Sequence, residues 1–317
     1  MREIGGYIEF EHYAHEMLHD EAIALNSGRN CLAYILRAKK IKKIALPLFL
    51  CDSIKNICEK ENIEVRYYHV TADFSPANID LCDDEWLYVV NYYGQLKKEW
   101  VINIADRYNH RIILDNAQAY FEMPISGVDT IYTCRKFFGV PDGAFVYTDA
   151  ELQETLATDE SYDRMHYLLG RFERNASEFY SEYAANNKNF RVEPIKKMSK
   201  LTKNLLCGID YERVKYRRTV NYMYLADALG PYNKLDLNRI EGAFAYPFLL
   251  SNGATIRKEL LQSKIYIPTL WPNVMDDAEV GMIEYDLALN ILPLPCDQRY
   301  EIEDMKYLVE EVMRCIG

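Results

Sequence analysis

Short β-rich runs alternate with helical patterns through the first half of the chain, and few architectures accommodate that alternation. Crossover units of strand, helix and strand build a largely parallel sheet. A helical pattern over 27–40 precedes the apolar run 43–48, and a helix over 52–61 leads to a strand over 63–70. A strand over 86–91, a helix over 98–108 and a strand over 111–115 come next. Two more strands, 128–133 and 144–148, flank the turn Gly139-Val140-Pro141-Asp142-Gly143. Ligands of such sheets gather at the carboxyl ends of the strands, which points to Asp115 and to the segment just after Thr133.

From 151 to about 187 the chain turns helical, polar and tyrosine-rich, and 211–229 reads as one long helix. A second α/β piece follows. It has a strand over 243–250, a helix over 253–262, a short strand over 265–267, a strand over 290–294 and a closing amphipathic helix over 303–315. The expected organisation is α/β, with a large domain over 1–208, a helical linker over 208–231 and a small C-terminal domain over 232–317. The 317 residues suit one large domain and one smaller one.

Composition narrows the function. Hydrophobic residues make up 49% and charged ones 27%, which removes disordered, collagen-like and coiled-coil classes. Acidic residues outnumber basic ones, 48 to 37, and a net charge of -11 without a basic patch argues against a nucleic-acid partner. The start, MREIGGYIEFEHY, lacks the basic and apolar regions of a secretory signal, and no apolar run approaches the roughly 20 residues of a membrane span. A cytoplasmic protein with no membrane partner is expected. The eight cysteines are scattered without Cys-x-x-Cys pairs, so reduced thiols are expected rather than disulfides.

Four constellations could carry chemistry. His12, His15 and His19 have the spacing of one helical face, but with no further clustered histidine a solvated face is the simpler reading, and no metal is expected. Lys136, in TCRKFFGVPDG, follows a strand and is flanked by Phe137 and Phe138. An amine partly desolvated there would lean towards its nucleophilic neutral form, against the alternative of a surface lysine in a basic turn. Asp115 closes RIILD, where a buried carboxylate calls for a cation such as a protonated pyridine nitrogen, or else serves as a helix cap. Asn26-Ser27-Gly28-Arg29-Asn30 opens the first long helix and offers free N–H groups and a positive dipole end to a phosphate, or is an ordinary capped start.

Cradle, acid and lysine together are the handles of a pyridoxal 5'-phosphate site. With these residues in place the chain resembles the DegT/StrS-type sugar aminotransferases, which are fold type I enzymes dependent on pyridoxal phosphate (PLP). The matching stretches are LNSGRNCLAYIL, IALPLFLCDSI, VVNYYGQL, LDNAQAYF and CRKFFGVPDGAFVY, in family order from about residue 20 to 148. Weaker similarity continues in FAYPFLLSNGATIRKELLQSKIYIPTLWP and NILPLPCDQRYEIEDMKYLVEEV. The resemblance implies a mostly parallel seven-stranded sheet between helices, a small C-terminal α/β domain, and a homodimer with active sites at its interface. It further implies that Lys136 carries the cofactor and moves protons, that Asp115 keeps the pyridine nitrogen protonated and that Gln118 contacts the ring hydroxyl. Gly28, Arg29 and Asn30 would bind the phosphate.

The chain departs from the family pattern at several points. Arg29 stands where the family has threonine, and its guanidinium would strengthen phosphate binding through charge-assisted bonds. Thr133 replaces a serine and lies nearer the lysine. Cys51 occupies the place of a ring-stacking aromatic, which leaves Phe49, Tyr92 or Tyr93 to cover the ring. The chain is also shorter than most members. The implied reaction moves an amino group from an amino acid, glutamate foremost, to a keto-sugar, plausibly nucleotide-linked, in polysaccharide or amino-sugar synthesis. The competing readings are a non-catalytic or regulatory relative, for which Arg29 and Cys51 are the arguments, and a different PLP reaction such as dehydration or racemisation. The 26 tyrosines suit helix packing, interfaces or sugar stacking.

Overall fold

The apolar runs of the first half become strands buried on both faces, as a sheet covered by helices requires. The structure is a computed structural model describing residues 4–317. The strands are β1 (Ile23–Leu25), β2 (Lys43–Pro47), β3 (Glu64–Tyr68), β4 (Glu85–Val90), β5 (Ile112–Asp115), β6 (Asp129–Thr133) and β7 (Ala144–Tyr147). They form one sheet in the order β1-β7-β6-β5-β4-β2-β3. Strands β2 to β6 are parallel, β7 is antiparallel to β6, and β1 is antiparallel to β7. Two reversals return β1 to the direction of the parallel set. Its carboxyl end therefore lies at the same edge as theirs.

After β2 the chain moves outward to β3 and then returns to the other side of β2 to form β4. That reversal is a topological switch point, and in open sheets ligands usually bind at the carboxyl ends of the strands beside it, here β2 and β4. The first helices are α1 (Gly28–Ala38), α2 (Asp52–Lys60) and α3 (Lys98–Arg107). Ser27 caps α1, its side chain accepting from the Asn30 N–H. Beyond β7 come α4 (His166–Glu173), α5 (Tyr180–Asn189), α6 (Lys200–Leu206) and α7 (Tyr211–Leu229). A two-stranded antiparallel sheet, β8 (Tyr246–Leu249) with β9 (Ile291–Leu294), then packs with α8 (Gly253–Gln262) and α11 (Ile302–Ile316). The short helices α9 (Val274–Asp277) and α10 (Ile283–Asn290) lie between α8 and β9.

A second core gathers Leu225 and Leu229 of α7, Phe248 of β8, Leu260 of α8, Leu292 of β9 and Leu308 of α11. Helix α7 thus belongs to the packing of this unit as well as leading into it. Among the described residues no helix is long and apolar enough to cross a membrane.

Two sequence expectations are corrected. Residues 265–267 are not a strand: Pro268 follows and lacks a donor, and the Ile265 N–H turns back to the Leu260 carbonyl. His12, His15 and His19 do not share a helical face, because residues 4–22 form no helix. The segment is instead held along α6, where the Tyr13 N–H donates to the Asn204 side chain. His12 and His15 are exposed, whereas His19 turns inward among Tyr120, Tyr132, Phe145 and Tyr147.

The inward turn of His19 makes stability depend on pH. Its Nε2 lies 2.9 Å from the Tyr120 carbonyl and its Nδ1 3.1 Å from the Tyr147 hydroxyl. Burial, opposed by the bond to the Tyr120 carbonyl, lowers its pKa from 6.5 to about 4. The unfolded chain takes up this proton near 6.5 and the folded chain resists until about 4, so the contribution is complete above 6.5 and lost as pH falls through that window. Its size is about 3 kcal/mol at most. Urea unfolding at neutral pH and at about pH 5 should show a smaller acid loss in His19→Gln than in the parent. Equal losses would assign the acid sensitivity to other groups.

Candidate active site

The carboxyl edge of the sheet collects side chains from five segments of the sequence. Asp115 closes β5 and is buried. One of its oxygens accepts from the Tyr88 hydroxyl at 2.7 Å and the other from the Ala117 N–H at 2.8 Å. Among the described residues no cation pairs with it. The carboxylate makes its surroundings negative: burial first, and Asp115 second, push the Cys31 thiol and the Tyr88 hydroxyl upward.

Gln118 lies in the turn after β5. Its oxygen accepts from the Tyr93 N–H at 2.8 Å, while its Nε2 is buried without a partner. The backbone of Tyr93 makes this possible by taking a left-handed conformation, φ 54°, next to Gly94 at φ 75°. The Tyr93 ring packs beside Phe74 and Phe244, and its hydroxyl is also buried without a partner. Phe49 and Tyr92 are held by each other and by Trp271. Cys51, half-buried, stands at the N-terminus of α2.

The first turn of α1 lies against the end of β6. A Cβ on Gly28 would meet the Thr133 Cβ at 3.8 Å and the Ile131 Cγ2 at 4.0 Å. Intrahelical bonding begins with the N–H groups of Asn30 and Cys31 on the Ser27 carbonyl, which leaves those of Gly28 and Arg29 pointing outward. Asn30 does not fit the expected phosphate role. Its side chain is buried and donates to Asn26 Oδ1 at 2.9 Å and to the Pro194 carbonyl at 2.7 Å, and its N–H is committed to Ser27. The Arg29 side chain reaches α2, where Nη2 donates to Ser53 Oγ at 3.0 Å. Burial lowers its pKa, the Cys51 thiol opposes this, and Arg135 and Arg191 lower it further.

Lys136 follows β6 by three residues and is exposed, so the expectation of an amine desolvated by Phe137 and Phe138 is not met. Both phenylalanines turn into the core, and the aromatic beside the amine is Phe244, its ring centroid 5.7 Å away. The loop around the lysine is held at both ends. The Phe137 carbonyl accepts from Gln298 Nε2 at 2.7 Å and Arg218 Nη2 at 3.2 Å. Asp142 accepts from the Ser199 N–H at 2.9 Å, the Ser199 hydroxyl at 2.7 Å and the Thr202 hydroxyl. Gly143 is required there: at φ 110° a Cβ would come within 2.9 Å of Thr202 Cγ2.

Gly28, Arg29, Cys51, Tyr93, Asp115, Gln118, Thr133 and Lys136 thus belong to one edge of one sheet. Sequence reasoning missed Tyr88, Ser53, Arg191, Phe244, Arg218 and Gln298. Tyr88 was accessible from the strand period, two residues before Val90; the others act across long sequence separations and carry no local signal.

No family model and no curated protein matches the sequence. Solved structures match the fold. NtdA from Bacillus subtilis, with bound cofactor PMP, has a TM-score of 0.67 at 14% identity over 93% of this chain and 73% of its own. The sugar aminotransferase CalS13 from Micromonospora echinospora has a TM-score of 0.63 at 15% identity over 93% and 87%. A DegT DnrJ EryC1 StrS aminotransferase from Brucella abortus has a TM-score of 0.61 at 14% identity over 92% and 85%. The chain accordingly shares the α/β fold of these structures, with the mostly parallel seven-stranded sheet that its family resemblance implied.

Proposed function

We propose that the protein is a PLP-dependent aminotransferase that takes an amino group from an amino acid, glutamate foremost, and delivers it to a keto-sugar. The acceptor is read as nucleotide-linked, and the protein as a cytoplasmic homodimer of surface-polysaccharide or amino-sugar synthesis. The observation that carries the reading is a set of unmet demands at one sheet edge. A buried carboxylate lacks a cation at Asp115, and a buried amide nitrogen lacks an acceptor at Gln118. The N–H groups of the first turn of α1 stand open, and an amine follows β6 at Lys136. These demands fit the cofactor's ring nitrogen, ring hydroxyl, phosphate and aldehyde in turn.

When bound, the cofactor supplies a carbonyl that exchanges amino groups and a cationic ring that withdraws electrons. The chain's own groups do the rest. The N–H groups of Gly28 and Arg29, at the positive end of α1, would hold the phosphate, with the Arg29 side chain assisting. Asp115 would keep the ring nitrogen protonated, because an anion in a buried setting raises the proton affinity of its partner. Gln118 Nε2 would donate to the ring hydroxyl, and the Tyr93 N–H fixes that amide. Thr133 and Cys51 would contribute to the same site. Lys136 Nζ would anchor the cofactor and would take and return the proton of the substrate carbon. Its open side is where a second copy of the chain would exclude water.

Three measurements test this. Protein incubated with PLP should show a visible absorbance band that L-glutamate bleaches, and borohydride reduction followed by peptide mapping should place the label on Lys136. A label elsewhere would remove Lys136 from its role, and a band that no amino acid bleaches would leave a non-catalytic relative. Asp115→Asn should keep the fold and PLP uptake yet slow the glutamate reaction by about a hundredfold or more, the usual loss when a preorganised charge is removed. Parent-like rates in that variant would exclude its pairing with the ring nitrogen.

A further inference from the structure

Three arginines meet beside this edge, and among the described residues no carboxylate pairs with any of them. Arg29 lies at the start of α1, Arg135 immediately before Lys136, and Arg191 just beyond α5. Arg135 is drawn to the α5 end by a 2.5 Å bond from Nη2 to Asn187 Oδ1, and its guanidinium lies 4.8 Å from the Phe190 ring centroid. Its Nε is buried without a partner. The start of α1 reaches the segment that follows Arg191, where Asn30 Nδ2 donates to the Pro194 carbonyl at 2.7 Å, and after burial the charges of Arg135 and Arg191 lower the pKa of Arg29, opposed by Cys51. Neighbouring acids are already matched: Glu193 is bound by Lys196 at 2.5 Å, and Asp159 by Arg164 at 2.7 Å.

A cluster of like charges assembled without counter-charge is held for an anion. Guanidinium groups stay charged at any working pH. A phosphate monoester brings a charge of at most about -2. Three guanidiniums and the positive end of α1 therefore exceed what the cofactor phosphate neutralises. We propose that Arg29, Arg135 and Arg191 form a second oxyanion subsite next to the cofactor phosphate, which holds an anionic group of a substrate. The proposal rests on reading this edge as the cofactor site and adds the substrate's charge class to it. Planar, forked guanidiniums suit carboxylate and phosphate oxygens alike. The carboxylate of an amino donor and the diphosphate of a nucleotide-linked acceptor share that chemistry.

Calorimetric titration of the PLP-loaded protein with glutarate and, separately, with inorganic pyrophosphate distinguishes these sources. One of the two should bind one-to-one, more weakly as salt rises. Arg191→Gln and Arg135→Gln should each weaken it by about tenfold or more, the usual effect of losing a charge-assisted bond. Arg191 is exposed, so its variant is expected to fold, and thermal melts check both. Binding of glutarate assigns the subsite to the donor, and binding of pyrophosphate assigns it to the acceptor. If neither binds, or if both variants bind as the parent does, the subsite is overturned. Should the protein refuse PLP, pyrophosphate titrated into the unloaded chain decides the matter: arginine-dependent binding would retain the subsite while the proposed function falls, and no binding would remove both.

Discussion

Arg218 is the residue that ties the Lys136 loop to the second core. It sits in the middle of α7, buried, and its guanidinium is solvated by carbonyl groups rather than by a carboxylate. Nη1 donates to the Ala243 carbonyl at 2.9 Å, Nη2 to the Phe137 carbonyl at 3.2 Å and Nε to Gln298 Oε1 at 2.8 Å. The Phe137 ring lies 4.5 Å from the guanidinium carbon. Burial pulls its pKa down to about 10, with Asp297 opposing, so the group remains a cation at neutral pH. A buried charge is tolerated only when its donors are met, and these donors reach the Lys136 loop, the approach to β8 and the turn after β9. One desolvated side chain therefore fixes the lysine loop relative to the second core.

The same loop is fixed from the other side by Asp142 at the start of α6, where a carboxylate meets the open N–H end and hydroxyls of a helix. Phe137 and Asp142 are five positions apart, and Lys136 lies between the end of β6 and the first of these anchors. The lysine thus combines an exposed side chain with a main chain anchored by hydrogen bonds on its C-terminal side. At Asp115 and Gln118 the arrangement is reversed: the side chains themselves are held, the first by Tyr88 and Ala117 and the second by Tyr93.

Much of this could be read from the residues. The central strands were legible because a strand buried on both faces is a continuous apolar run, as in Ile112-Ile113-Leu114, and the ends of those runs mark the candidate site. Strand β1, three residues long, is too short to carry a period and was missed. The 265–267 run has the apolar content of a strand, but Pro268 and the Leu260 carbonyl decide its fate. The place of Asn30 at a helix start suits a phosphate ligand, yet its side chain is held by the Pro194 carbonyl, 164 positions away, and no local pattern encodes such a contact. His19 was grouped with His12 and His15 by spacing alone, whereas the aromatic walls that bury it come from Tyr120, Tyr132 and Phe145. Arg191 and Arg218 share this obscurity, since their roles exist only in the folded chain.

The outer strands of the sheet bear on how copies of this chain can meet. Strand β1 is only three residues long and its outer edge is covered by residues 196–198, whose Met198 N–H donates to the Ala24 carbonyl, and β3 carries Glu64 and Arg66, the latter held by Glu85 at 2.7 Å. Short or charged edges resist pairing with another strand. Self-association by sheet extension, the route to open-ended fibres, is thereby discouraged at both ends. Closed assembly is left to the helical and loop surfaces.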